Sequence, residues 1–299
     1  MMRYTITLVA VLTLVAASCG GNGEGTMTAE TATSTTVAAS TTTTAAATTT
    51  TTTATSTTSP TTALPATECP PGDVATGTSR CYAESAGQKR SYLIHVPASY
   101  DGSTPMPLVF EFHSYGSQAT EQVEYSGLSE FGETAGFITV TPNGRQQRWL
   151  HESTATNPGL SPDEPDIVFV LDLIELLSQS LHVDLDRIYA TGGSNGGWMT
   201  CAVACMLADT FAAIAPVGGI IEFGEECQPE VPVPSITFHG TADLFLPYYG
   251  GWGKPITGPN PDLSVPERVA MWADRNGCDP DPREETISEE VTRLCLLYT

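Results

Sequence analysis

Beyond residue 68 the apolar positions fall into short runs whose period switches back and forth. Ser91–Val96 (SYLIHV) alternates and predicts a strand. Pro107–Phe112 (PLVFEF), Phe137–Thr141 (FITVT), Arg187–Thr191 (RIYAT), Phe211–Val217 and Pro234–His239 are brief apolar runs of strand length. Between them lie segments of helical period. Asp166–Leu181 is apolar on most sides, with Asp172, Glu175 and Gln179 marking one polar stripe, and predicts a well-buried helix. Gly196–Leu207 predicts a second helix, and Leu263–Asn276 a third that closes at Gly277. Strands separated by helices imply a mostly parallel central sheet covered by helices on both faces.

The first 67 residues have a different character. Arg3 precedes an uncharged apolar run, Tyr4–Ala17, too short to span a bilayer comfortably. Ala16-Ala17-Ser18-Cys19 closes it, so residues 1–19 are expected to be an export signal whose Cys19 becomes a lipidated first residue; release by signal peptidase or a retained anchor is the alternative. Residues 20–67 are dominated by Thr, Ala and Ser and lack aromatic residues. Such a stretch buries too little apolar surface to offset chain entropy and is expected to be a flexible linker. The remaining block, 68–299, has the size of one domain. Across the 299 residues 12 Lys and Arg face 34 Asp and Glu, a net charge of -22 that argues against a nucleic-acid partner.

The sharpest motif is Gly192-Gly193-Ser194-Asn195-Gly196. A G-x-S-x-G alone is weak, but this one stands between a predicted strand and a predicted helix. That is the context of a nucleophile elbow, which exposes the serine hydroxyl at the strand's carboxyl end. The expected class is therefore the α/β-hydrolase fold, with Ser194 as nucleophile. A serine needs a base, usually a histidine oriented by a carboxylate. Asp243, in the loop after the Pro234–His239 strand, is the expected acid. The base should follow it, yet the five histidines are His95, His113, His151, His182 and His239. His239 ends a strand and reads as structural. The backbone N–H groups of Asn195 and Tyr115 are the expected oxyanion donors, Tyr115 lying in the loop after PLVFEF. Trp149 and Trp198, with Tyr115 and Trp252, are candidates to line a substrate pocket. Cys201 and Cys205 lie four apart with no nearby histidine, so no metal is expected, and no cofactor.

The runs PLVFEFHSYG, GFITVTPNG, DLDRIYATGGSNGGWMTCAVACMLADTFAAIAPVGG, VPVPSITFHGTADLFLPYYGG and MWADRNGC resemble the polyhydroxybutyrate depolymerase family, which includes feruloyl-esterase-like lipoproteins of actinobacteria. The resemblance covers about Cys69 to Thr299. It implies a secreted serine ester hydrolase with Ser194 as nucleophile and Asp243 as acid. Ser114 departs from the glycine usual in the family. The family's histidine lies in a Gly-rich segment after a strand like Leu296–Thr299, so the catalytic domain is expected to be truncated at its C-terminus, before that residue. The expected partners are an ester substrate (a hydroxyalkanoate, a feruloylated sugar or a smaller ester) and a membrane reached through the lipid; the chain is expected to be a monomer. A non-catalytic surface binding protein on the same fold is the alternative reading. A serine peptidase is a third, disfavoured because no propeller or peptide-binding domain accompanies the fold. Export and short intervening loops pair Cys69 with Cys81 and Cys205 with Cys227, leave Cys201 as the odd thiol, and suggest Cys278–Cys295 as a third bridge.

Overall fold

In the computed structural model of the protein, residues 69, 75–150, 160–221, 223–224, 227–251 and 263–296 are described. The chain divides into two units, Met1–Thr61 and Thr62–Thr299, and all described residues belong to the second. The signal, Cys19, the whole Thr-rich linker, His151 and Trp252 lie outside the described residues.

The elements run β1 (Gly77–Ser85), β2 (Gln88–Val96), β3 (Met106–Phe112), α1 (Ala119–Ser126), α2 (Leu128–Ala135), β4 (Ile138–Pro142), α3 (Pro165–Ser180), β5 (Val183–Gly193), α4 (Asn195–Met206), β6 (Ala213–Val217), α5 (Val265–Arg275), β7 (Arg283–Thr286) and β8 (Thr292–Cys295). The first six strands form one sheet in the order β1-β2-β4-β3-β5-β6. β1 and β2 form an antiparallel hairpin, and β2 pairs antiparallel with β4. The pairs β4–β3, β3–β5 and β5–β6 are parallel. Every residue of β4 is buried, as is the stretch Leu108–Phe112 of β3, as central parallel strands covered on both faces require. Residues 234–238 extend the sheet beyond β6, in parallel, through Ile214 N–H to Pro234 O, Ile236 N–H to Ile214 O and Phe238 N–H to Pro216 O.

Strand alternation assigns the two covering layers. Ile94, Val140 and Phe110 are paired neighbours across β2, β4 and β3 and so share one face. Arg90, on the same face of β2, stacks over Phe169 of α3 at 4.1 Å, which puts α3 there. Thr139 and Glu111 belong to the other face. They hydrogen-bond Ser129 of α2 and Gln122 of α1. α3 buries Ile167, Phe169, Val170, Leu173 and Leu177, the stripe its spacing predicts. α4 is buried nearly all round, so it carries no polar face. α5 begins with a complete capping box between Ser264 and Glu267.

The bridges Cys69–Cys81 and Cys205–Cys227 are both present. The first ties the start of the domain to β1, and the second ties α4 to the loop after β6. Cys201 is a buried free thiol, as expected. The third expected bridge is corrected: Cys278 and Cys295 are both free. They are near enough for the Cys295 thiol to help raise that of Cys278, after burial. However, β8 carries Cys295 into an outlying hairpin with β7, where it pairs with Arg283 instead of closing a bridge.

Candidate active site

β5 passes through the middle of the parallel region and delivers Ser194 to its carboxyl edge. Ser194 has φ 52° and ψ -115°, a conformation disfavoured for a residue with a side chain. Its backbone N–H donates to Val217 O at 2.8 Å, and its carbonyl accepts from Trp198 N–H at 3.1 Å as α4 begins. The turn works only because its neighbours lack side chains. A Cβ on Gly196 would lie 2.1 Å from Phe112 O, and one on Gly219 would lie 2.2 Å from Ser194 O. The strand, the strained serine and the helix are those of a nucleophile elbow.

Asn195 is the first residue of α4, so its backbone N–H has no acceptor one turn back and points out of the helix end. Its side chain is spent elsewhere: Oδ1 accepts Trp149 N–H at 2.8 Å, and Nδ2 donates to Trp149 O at 3.3 Å. Across from it, the loop after β3 is fixed at several points. Gly116 N–H donates to Gln147 O at 2.7 Å, which ties the loop beside Tyr115 to residue 147. Tyr115 itself is 56% exposed. Ser114 Oγ donates to Gly193 O at 3.1 Å, a bond that the glycine usual in the resembled family cannot make. His113 is fully buried. Its Nε2 accepts Gly144 N–H at 2.9 Å, so the proton sits on Nδ1, which donates to Ser114 O at 2.8 Å. Burial holds this imidazole below its ordinary pKa, in keeping with a neutral ring.

Trp149 is corrected from pocket lining to internal brace. It is 1% exposed, its ring lies against Phe112 at 5.2 Å and His113 at 4.9 Å, and its indole N–H donates to His113 O at 2.9 Å. Trp198, one turn into α4, is partly buried, and its Nε1 is buried without a hydrogen-bond partner. Leu150 N–H donates to Asp166 Oδ2 at 3.0 Å, and Arg90 pairs with Asp166 Oδ1 at 2.8 Å with both side chains buried.

Asp243 lies in the loop after 234–238. Its Oδ1 accepts the N–H groups of Phe245 and Leu246 at 2.8 and 3.0 Å, which orients the carboxylate. Its Oδ2 faces the turn after β6, 3.8 Å from where a Cβ on Gly218 would sit. Gly218 directly follows Val217, whose carbonyl holds Ser194, so the acid and the serine border one corner of the sheet. Leu244, Phe245 and Tyr249, 62%, 55% and 77% exposed, follow the acid along the chain.

Each described histidine directs at least one ring nitrogen to a partner. His95 contacts Thr78 Oγ1 through Nδ1 and Glu133 through Nε2. His182 meets Gly102 O through Nδ1 at 3.1 Å. His239 directs Nε2 at Leu246 O at 2.8 Å and lies 3.5 Å from Asp243 Oδ2, while its Nδ1 is buried without a partner. Among the described residues no group of His, Cys, Asp and Glu is arranged to hold a metal ion.

The sheet, the elbow and the layered helices define an α/β-hydrolase fold. Among solved structures it is similar to a thermostable esterase, with a TM-score of 0.52 at 20% identity over 67% of this chain and 52% of that one. It is also similar to an acetyl xylan esterase from Aspergillus awamori, with a TM-score of 0.50 at 14% identity over 73% and 92%. In sequence, the model of the prolyl oligopeptidase family matches residues 131–225, which include the elbow but not Asp243. The chain is 30% identical over 210 residues to feruloyl esterase B of Piromyces equi, covering 66% of this chain and 37% of that protein. It is 30% identical over 212 residues to the putative esterase NocK of Nocardia uniformis subsp. tsuyamanensis, covering 67% and 60%. The chain thus spans less than two thirds of the length of these relatives, and its likeness within the α/β-hydrolases is to feruloyl esterases.

Proposed function

We propose that this protein is a secreted serine carboxylic ester hydrolase that works through an acyl-enzyme on Ser194. The observation that carries the reading is the strained serine at the elbow, with the Asp243 carboxylate bordering the same corner. In this reading Ser194 Oγ gives its proton to the base as it attacks the ester carbonyl. The N–H groups of Asn195 and Tyr115 receive the charge that develops on its oxygen. The alkoxide leaves with a proton supplied by the base, and water then reverses the sequence on the acyl-serine. Asp243, held by two backbone N–H groups on Oδ1, offers Oδ2 to orient an imidazole.

His95, His113 and His182 are engaged away from Ser194, His239 directs Nε2 at Leu246 O, and the 299 residues carry no histidine after Asp243. We therefore assign the base to a segment like the Gly-rich, histidine-bearing one of the resembled family, and expect the 299-residue chain to turn over slowly. The feruloyl esterases among the relatives favour a feruloylated sugar over a hydroxyalkanoate as substrate. The two disulfides fit an oxidising compartment, and lipidation at Cys19 would hold the domain at the outer face of the cell membrane.

The test is p-nitrophenyl acetate hydrolysis by the chain, by a version extended with such a segment, and by Ser194→Ala in each. The extended form should be fast, and Ser194→Ala should lower its turnover by about 10⁴ or more. Equal rates with and without the extension would show that a histidine already present is the base. Activity that survives Ser194→Ala would overturn the nucleophile. Comparing methyl ferulate with a hydroxybutyrate oligomer decides the acyl group.

A further inference from the structure

The loop between β4 and α3 is under backbone strain that its own sequence does not relieve. Gln146, Gln147 and Leu150 all have left-handed φ, at 49°, 60° and 58°, and none is glycine. Such residues persist where the surroundings over-determine them, and they concentrate at functional sites. Here the surroundings are the elbow and the loop after β3. The carbonyl of Gln147 holds Gly116, and the amide of Trp149 is held by the side chain of Asn195, the residue after the nucleophile. The Trp149 indole then reaches back to His113 O. A path of hydrogen bonds therefore runs from Asn195 through Trp149 to the loop that carries Tyr115. A second path is shorter and independent of the first: Ser114 Oγ to Gly193 O, the residue before the nucleophile.

We infer that Ser114, Trp149 and the Asn195 side chain are positioning residues that fix the spacing between the Asn195 and Tyr115 N–H groups by gripping the elbow from both sides of Ser194. None of their side chains needs to touch substrate. The inference rests on the proposed ester hydrolysis for its catalytic meaning, but the brace itself is a property of the folded chain. Oxyanion donors act through placement, and a loop that drifts by an ångström loses most of their effect. Either tie alone keeps the loop in register, so the two should be redundant in catalysis and additive in stabilising the loop.

The experiment is a cycle of Ser114→Gly, Trp149→Phe and the double variant, with Asn195→Ala as a second way to cut the longer path. Asn195→Ala keeps the backbone N–H. In the chain as it stands, amide hydrogen exchange of residues 114–117 should rise about fivefold for each single variant and about 25-fold for the double, one ordinary hydrogen bond each. Exchange in α5 should stay unchanged. In kinetics with p-nitrophenyl acetate on the extended form, each of Ser114→Gly and Trp149→Phe should lose less than about threefold in kcat. The double should lose about 100-fold with KM unchanged, as for a lost oxyanion donor. A general packing role would move α5 exchange and the thermal midpoint instead. Unchanged exchange at 114–117 in the double variant overturns the brace. Altered exchange with wild-type kcat in the double overturns its catalytic role. If neither the chain nor its extended form shows Ser194-dependent turnover, the ester hydrolase reading fails, and the exchange data still decide the brace.

Discussion

Glu111 sits in β3 with 1% of its surface exposed, facing α1. Its Oε1 accepts Gln122 Nε2 at 2.9 Å, and Oε2 is buried without a partner. Burial pushes this carboxyl from an ordinary 4.5 up to about 7, against smaller opposing contributions from Gln122, Ser126 and Thr141. The folded state therefore holds a proton that the unfolded chain releases near 4.5. Below 4.5 both states are protonated and the site costs nothing. Between 4.5 and 7 the folded chain binds more protons than the unfolded one, so stability falls as pH rises, and above 7 the full cost is present. Moving a carboxyl from 4.5 to about 7 corresponds to roughly 3 kcal/mol. Glu111→Gln keeps the acceptor for Gln122 and removes the titration. It should match the wild type near pH 4.5, gain on it through the interval and level off above 7, at a margin of up to roughly 3 kcal/mol. Urea midpoints of both proteins at half-unit steps from pH 4.5 to 8.5 measure the difference, in which the other carboxylates cancel. A constant margin across that range would refute the argument, because it would mean that Glu111 is ionised in the folded state throughout.

Three further outcomes follow from geometry. Gly196→Ala would place a methyl 2.1 Å from Phe112 O, so the elbow must shift, and unfolding free energy should drop by several kcal/mol, read by thermal melting. Replacing Cys205 and Cys227 by serine opens a link between residues 22 apart and should cost about 3 kcal/mol in urea unfolding, on a loop-closure basis. Burial pushes the Cys201 thiol up to about 12, so iodoacetamide at pH 8 should label the partly exposed Cys278 and Cys295 in the native protein and reach Cys201 only after unfolding.

The pattern of apolar residues reveals those parts of the fold whose side chains are themselves apolar. β3, β4, α3 and α4 lie within two residues of their expected bounds, because each is a buried run or stripe of the length of its element. α1 and α2 are invisible to that signal. They bury Ala119, Gln122, Ser129 and Gly132, small or polar groups that meet Glu111, Thr139 and Phe137, so no hydrophobic stripe marks them. β1 and the β7–β8 hairpin are missed for a related reason: β1 is mostly half-buried and β7 is fully exposed. In the site, Gly192–Gly196 announces its own turn, since only glycines admit such close approach. Trp149 misleads because an aromatic residue near a motif looks the same in sequence whether it faces a substrate or the interior. The ties through Asn195, Trp149 and Ser114 join residues 36 to 79 apart, which no local pattern encodes.

The hydrogen bond from Ser194 to Val217 has a consequence for the chain's birth. β5 and the start of α4 are made before β6, yet the serine's left-handed backbone is pinned by a carbonyl 23 residues further on and hemmed in by Gly219. Until those residues have left the ribosome and docked, the bond from the Ser194 N–H and the wall at Gly219 are both missing. Sheet assembly itself thus completes the Ser194 turn. A nascent chain released before residue 219 should show no serine reactivity even where β3, β4 and β5 have already paired, which ties the appearance of a reactive hydroxyl to a late event in biogenesis.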